Sequence, residues 1–263
     1  MSRRELDAEY DAGADAWASA PAHVYARFAA AMLEHSPIAV SAADVLDVGA
    51  GTAVACDAAL ALGAHQAVAS DISIAMLQHR ASGIPAVAAD AGKLPFADRS
   101  FDLVLSAFSL THLADPAEAV SEWRRVAPAA LIATFAPGPS HPAKVAIDAV
   151  MTRFGFVSPP WYEQLKSELE PLVEDTSSLT TMVRSAGYRE IEATVRTVDT
   201  GLRTPADIVD WRLGMAQLAQ FTAGLSPTLR AEAHRAAEDA VAELGPVHLD
   251  IQVLSAADEG DAP

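Results

Sequence analysis

Short apolar runs recur along the first half of the chain, the first two stopping at a glycine or an aspartate. They are residues 44–48 (DVLDV), 67–70 (AVAS), 86–89 (AVAA), 102–106 (DLVLS) and 130–135 (ALIATF). Each is too short for a helix and apolar enough to be covered on both faces, so all five read as strands of a buried sheet. Helical patterns lie between most of them. Ser73 caps one that runs to Arg80. Asp115-Pro116-Ala117-Glu118 opens another, with Asp as N-cap, Pro at the first helical position and Glu placed for a capping box. Strands alternating with helices predict a parallel sheet with right-handed crossovers.

The second half is patterned differently. Thr204-Pro205 and Ser226-Pro227 each open a helix. The first is expected to carry Ile208, Trp211, Met215 and Leu218 on one buried face, at spacings of three and four. These helices lie between residues 190–198 (EIEATVRTV) and 247–254 (VHLDIQVL), both of which alternate like strands. A helical pair inserted there, residues 203–245, is expected to form a lid over a pocket; the other reading is that it only thickens the domain. Residues 1–36 form an N-terminal helical cap. Residues 255–263 (SAADEGDAP) are small and acidic, and are expected to fray as a flexible tail.

Charge then narrows the function classes. The chain has 263 residues, 35 of them acidic against 18 basic, for a net charge of −17. That balance argues against nucleic-acid partners, which need Lys and Arg to neutralise phosphates. The lone cysteine, Cys56, offers no internal disulfide. No run approaches the ~20 apolar residues of a membrane span. The Arg pair near the N-terminus has no apolar stretch behind it, so it is not a signal peptide. A cytoplasmic protein acting on a small molecule, away from membranes, is expected.

The chemistry gathers at Val45-Leu46-Asp47-Val48-Gly49-Ala50-Gly51-Thr52-Ala53. A strand, a Gly-x-Gly turn and a helix in sequence put bare backbone where a ligand approaches closely. Asp71 ends the second strand, placed to grip a ribose diol. Asp90 ends the third, ready to accept from an adenine amino group while the backbone of Ala91 donates. Asp47, Asp71 and Asp90 thus stand at successive strand ends on one sheet edge, which helix capping does not explain. A dinucleotide loop wants glycine or alanine at its sixth position, which here is Val54, and it wants no carboxylate beside a pyrophosphate. Asp47 instead suits a cofactor with an ammonium and a sulfonium, which selects S-adenosylmethionine.

The run VLDVGAGTA, then ASDISIAMLQ, then AADAGKLPFADRSFDLVLSAFSLTHLADPAEAVSEWRRV resembles the class I S-adenosylmethionine-dependent methyltransferases. Within them it is most similar to the small-molecule group of ubiquinone/menaquinone-type methyltransferases. Looser similarity covers Tyr10-Asp11 and Ser185-Ala186-Gly187-Tyr188. The resemblance implies a Rossmann-like α/β domain, doubly wound, with a seven-stranded, mostly parallel sheet in the order 3-2-1-4-5-7-6. It implies that Gly49 and Gly51 cradle the methionine moiety, Asp47 faces its amino group and Tyr10 closes over its carboxylate. Asp71 would hold the ribose, Ile72 pack on the adenine, and Asp90 and Ala91 read the adenine edge. Ser106 would line the amino-acid end. The family's third glycine is Ala53 here, tolerable if φ there is negative.

His112 follows the fourth strand, at the family position bordering the transferable methyl, either as a base or as a loop-orienting group. The other histidines show no metal-ligand spacing, so no metal site is expected. Trp161-Tyr162 lines an acceptor pocket or anchors a loop. The expected activity is methyl transfer to an O, N or C atom of a small hydrophobic metabolite, leaving S-adenosylhomocysteine. The alternatives are a cofactor-binding protein with a non-methylating reaction, such as a cyclisation, or a regulatory partner subunit.

Overall fold

The computed structural model describes residues 3–259. Two helices, α1 (Arg3–Ser19) and α2 (Pro21–Leu33), precede β1 (Asp44–Val48). Alternation follows through α3 (Val54–Ala61), β2 (Gln66–Asp71), α4 (Ile74–Gln78) and the short β3 (Ala86–Ala88). It continues through β4 (Leu103–Ala107), α5 (Pro116–Val126) and β5 (Ala129–Phe135). The helices α6 (Pro142–Arg153), α7 (Pro160–Gln164) and α8 (Thr176–Ser185) lead to β6 (Glu190–Asp199). Then α9 (Pro205–Leu213), α10 (Ala216–Gly224) and α11 (Pro227–Val241) precede β7 (His248–Ala257).

The strands form one seven-stranded sheet in the order β3-β2-β1-β4-β5-β7-β6. β1 pairs in parallel with β2 and β4, β2 with β3, and β4 with β5. β7 runs antiparallel to both neighbours. The fold is therefore the Rossmann-like arrangement that the motifs imply.

Period-two alternation sorts the core onto the two faces of the sheet. Val45, Leu103, Leu105, Leu131 and Ile251 pack with Phe28, Ala55 and Ile147 on one side. Leu46, Val48, Val104, Ile132 and Leu254 pack with Trp123 and Val183 on the other. Helix starts follow the local chemistry. The Ser73 hydroxyl accepts from the Met76 amide at 3.1 Å, and an Asp115 carboxylate oxygen accepts from Glu118 N at 2.9 Å. Thr204 and Asp207 form a reciprocal capping box at α9, which satisfies amides the first turn leaves unpaired.

Two expectations are corrected here. The single helical face from Ile208 to Leu218 is broken: α9 ends at Leu213, with Gly214 as its C-cap, and α10 begins at Ala216. The cause is close approach to the N-terminal pair. A Cβ on Gly214 would lie 2.6 Å from Pro21 Cδ and 2.8 Å from the Ala16 carbonyl oxygen. The acidic tail is also not frayed where it is described. β7 continues to Ala257 between β5 and β6, and Ser255, Ala256 and Ala257 are buried. Asp258 then pairs with Arg99 at 2.6 Å and Arg124 at 2.9 Å, and its amide donates to the Pro128 carbonyl. Residues 260–263 lie outside the described residues.

Candidate active site

The carboxyl ends of β1, β2, β3 and β4 converge on a cavity of about 160 Å³. It opens where the strand order reverses between β1 and β4, the place where parallel α/β sheets take ligands. Its walls include Tyr10, Asp47, Gly49, Gly51, Asp71, Ile72, Asp90, Ala91 and His112. All the residues expected to bind the cofactor, and His112, therefore meet there except Ser106. Ser106 is fully buried and shares a 2.9 Å hydrogen bond with the Ser109 hydroxyl. Ser109 faces the cavity instead, and donates to the Val48 carbonyl at 2.7 Å.

The loop after β1 turns on three left-handed residues: Gly49 at φ +68°, Gly51 at +54° and Ala53 at +62°. The positive φ at Ala53 fails the condition under which alanine is tolerated there without strain. The turn into α3 needs this conformation, and alanine adopts it at a cost of roughly 1–2 kcal/mol. The amides of Gly49 and Ala50 both donate to the Ser70 carbonyl, at 2.8 and 3.0 Å, which ties the loop to β2. At Gly49 a side chain is excluded outright, because a Cβ would sit 2.2 Å from Ser109 Cβ.

The acids differ in their surroundings. Asp71 accepts from Gly51 N at 2.7 Å through one oxygen and from Ser73 N at 2.8 Å through the other. It therefore braces the glycine loop as well as lining the cavity. Asp90 accepts from Gly92 N at 3.0 Å. Asp47 is only 1% exposed. One of its oxygens accepts from the Cys56 thiol at 3.8 Å, and the other finds no hydrogen-bond partner among the described residues; the Cys56 backbone also acts on the carboxylate. Burial, and secondarily the charge of Asp71, push its carboxyl up to about 7. A buried acceptor left without a donor costs free energy.

The roof comes from α1. The Tyr10 hydroxyl and His112 Nδ1 share a hydrogen bond of 3.1 Å, with the rings edge to face. Burial lowers the imidazole to about 4, so it is neutral at pH 7. Burial also raises the Tyr10 phenol well above its usual value. Asp11, beside it, accepts from the Ser73 hydroxyl at 2.5 Å and from Ala75 N at 3.1 Å, latching α1 onto α4. The pair Tyr10-Asp11 is visible in the sequence, but the 62-residue separation of Asp11 from Ser73 hides the latch.

A second cavity of about 550 Å³ adjoins the first. The two share Tyr10, Trp17, Tyr25, Phe108 and His112 as a common wall. Phe108 holds a positive φ of 66° there, within a cluster of Tyr25, Phe28 and Phe135. Trp161 and Tyr162 line this cavity, as do Arg212, Met215, Ala216 and Gln217 from the α9–α10 junction. The rest of the inserted segment lies elsewhere: Trp211 and Leu218 are buried in the core, and α11 packs against α6 and α9. Lys144 and Arg212 also border it. Neither carries a motif, because each stands alone on its helix and only folding brings them together.

Comparison with known proteins agrees with this geometry. Residues 46–129 match the methyltransferase domain family, from inside β1 to the start of β5. The demethylmenaquinone methyltransferases of Mycobacterium sp. strains KMS and JLS are each 46% identical over 82 residues, which is 31% of this chain and 36% of theirs. The match thus spans about a third of those relatives' length. Among solved structures, an Anabaena variabilis protein assigned to methyl transfer in an antibiotic biosynthesis pathway superposes with a TM-score of 0.63 at 15% identity. That superposition covers 88% of this chain and 96% of the other. The [4+2]-cyclase SpnF gives 0.55 at 16% identity, over 89% and 82% of the two chains. Haemonchus contortus phosphoethanolamine N-methyltransferase 2, solved with S-adenosylhomocysteine, gives 0.54 at 17%, over 88% and 52%. The chain has the class I methyltransferase fold, and its cofactor-side segment resembles the menaquinone-type enzymes.

Proposed function

We propose that the protein transfers a methyl group from S-adenosylmethionine to an O, N or C atom of a small, largely hydrophobic metabolite. The observation that carries this reading is the unpartnered Asp47 oxygen behind a glycine loop, in a cavity that shares a wall with a second, aromatic one. The residues present suit the cofactor's chemistry. Asp47 would receive the ammonium, and the bare backbone at Gly49 and Gly51 leaves room for the methionine part. Asp71, which lines the cavity beside the glycine loop, would hold a ribose diol. Ile72, Asp90 and Ala91 would border the adenine.

When bound, the cofactor supplies a methyl group already activated on a sulfonium. What the chain must add is alignment, with a proton acceptor only if the receiving atom carries a proton. His112, neutral at pH 7, can take that proton, and the Tyr10 hydroxyl holds the ring in place. Phe108 and the indole and phenol rings around it keep water from the shared wall.

One observation favours a second reading, a cyclisation within the same cavity. The [4+2]-cyclase SpnF shares this fold, and the two adjoining cavities, joined by an aromatic wall, would enclose a folded apolar substrate.

Calorimetry should show S-adenosylmethionine and S-adenosylhomocysteine binding in the micromolar range and NAD not binding. Tighter binding of NAD would overturn the cofactor assignment. Incubation with methyl-labelled cofactor and metabolite extracts should yield a labelled small molecule by mass spectrometry. Cofactor binding with unlabelled, rearranged product would select the cyclisation.

A further inference from the structure

The second cavity holds hydrogen-bond donors that the protein does not use. Trp161 and Gln217 are 8% and 6% exposed, and both line it. The indole Nε1 of Trp161 and the amide Nε2 of Gln217 find no acceptor among the described residues. Lys144 projects from α6 into the same space, its Nζ 4.5 Å from the Phe135 ring centre and 5.5 Å from that of Trp211. It forms no ion pair with any described residue. The neighbouring cations are engaged: Arg212 grips Asp148 through two bonds of 2.8 and 2.6 Å, and Lys166 pairs with Glu170. Burying donors without acceptors is costly unless something else supplies the acceptors.

From this we infer that the acceptor molecule carries a carboxylate, bound by Lys144 in the second cavity beside Phe135. The inference deepens the methyl-transfer reading and rests on it for the name acceptor. The ammonium, the indole and the amide together match a group rich in lone pairs. Glu174 and Asp250 also line the cavity, but the acids that act on Lys144 are Glu170 and Asp148. Those two are already engaged by Lys166 and Arg212, so an anion is what neutralises Lys144. The aromatic faces under Lys144 hold the cation in place without cancelling its charge. Burial, then the nearby Arg212 and Lys166, push Lys144 down to about 8, with Glu170 and Asp148 acting the other way. It is still mostly charged at neutral pH. The remainder of the ligand would lie against Phe135, Trp161, Leu165 and Met215. An apolar body with one acidic end is thus the substrate class.

The test uses matched probes in calorimetry on the full chain: naphthoate against naphthamide, and cinnamate against cinnamamide, with S-adenosylhomocysteine present and absent. The carboxylates should bind about tenfold tighter than their amides, the scale of a charge-assisted hydrogen bond. Lys144→Met should level each pair, and Lys144→Arg should restore the preference. If Lys144→Met does not fold, Lys144→Gln serves as the neutral variant, and the wild-type preference stands as a test by itself. Equal binding within both pairs, or no binding of either member, overturns the inference. So does a preference that survives in the neutral variant. Equal binding within the pairs in the unmodified protein, with S-adenosylhomocysteine binding intact, rejects only the acceptor assignment. Absent S-adenosylhomocysteine binding rejects the methyl-transfer reading, whichever way the probe pairs fall.

Discussion

Asp47 concentrates the conflict between stability and function in one side chain. Its carboxyl is pushed to about 7 by burial, against an ordinary value of about 4. An acid whose folded pKa is raised favours the folded state at low pH. That contribution is complete below about pH 4 and is lost as pH rises through about 7. Asp47→Asn should therefore raise the melting temperature of the cofactor-free protein at pH 8 but not at pH 4. The three-unit shift sets a ceiling of about 4 kcal/mol on the gain. The same variant should bind S-adenosylmethionine tenfold or more weakly. In the unmodified protein that affinity should itself decline below about pH 7, as the carboxylate is protonated. A flat pH profile would remove Asp47 from the ammonium site. The glycines of the loop differ in the same way. Gly49→Ala places a Cβ 2.2 Å from Ser109 Cβ, whereas Gly51→Ala meets only the flexible end of Met76 at 3.2 Å. Thermal melts should show Gly49→Ala losing at least 2 kcal/mol more than Gly51→Ala.

Elements divide into those that build the sheet and those that close the site. β1 to β5 with α3, α4 and α5 form the frame, and the cavity lies at its carboxyl edge. α1 closes it from above, held by Asp11 to the start of α4 and carrying Tyr10 to His112. The α9–α10 junction closes the second cavity from the side. Trp211 and Met215 separate its two jobs. Trp211 is 1% exposed and sits in the core, so Trp211→Ala should cost about 3–5 kcal/mol. Met215 is half-buried and lines the second cavity. Met215→Ala should cost less stability and chiefly raise the acceptor KM, with S-adenosylhomocysteine affinity unchanged. A large fall in melting temperature with unaltered acceptor kinetics would assign Met215 to packing alone.

On the scale of the whole molecule, a net charge of −17 surrounds a second cavity that holds Lys144 among its lining residues. The general field repels anions, so recognition of an acidic ligand there must be local. Added salt should then weaken carboxylate binding only slightly, because Lys144 is itself partly buried against Phe135 and close, partly buried pairs are screened little. No group of three or more His, Cys, Asp or Glu able to hold a metal occurs among the described residues. Methyl transfer should accordingly proceed at an unchanged rate in saturating chelator, and a loss restored by magnesium would contradict the alignment mechanism. No described helix is long and apolar enough to cross a membrane.

The frame and the lining of the first cavity were legible from sequence because their determinants are local. Apolar runs bounded by Gly and Asp place β1 and β2 within a residue or so, and each catalytic-edge acid is read from its position at a strand end. The strand order was legible only through family resemblance, since pairing partners carry no pattern of their own. Tertiary structure decided what depends on meeting partners distant in sequence. Gly214 breaks a periodic helix because Pro21 and Ala16 come within 3 Å of where its side chain would be. The small acidic residues after Leu254 join a strand because β5 and β6 offer pairing on both edges and Arg99 and Arg124 receive Asp258. Ala53 accepts a positive φ because the loop's bonds to β2 and the start of α3 fix the turn around it. Ser106 yields its place to Ser109, one turn beyond the strand. The wall of the second cavity is the extreme case: Lys144, Trp161 and Gln217 come from three different helices, and their unused donors exist as a set only once those helices have packed.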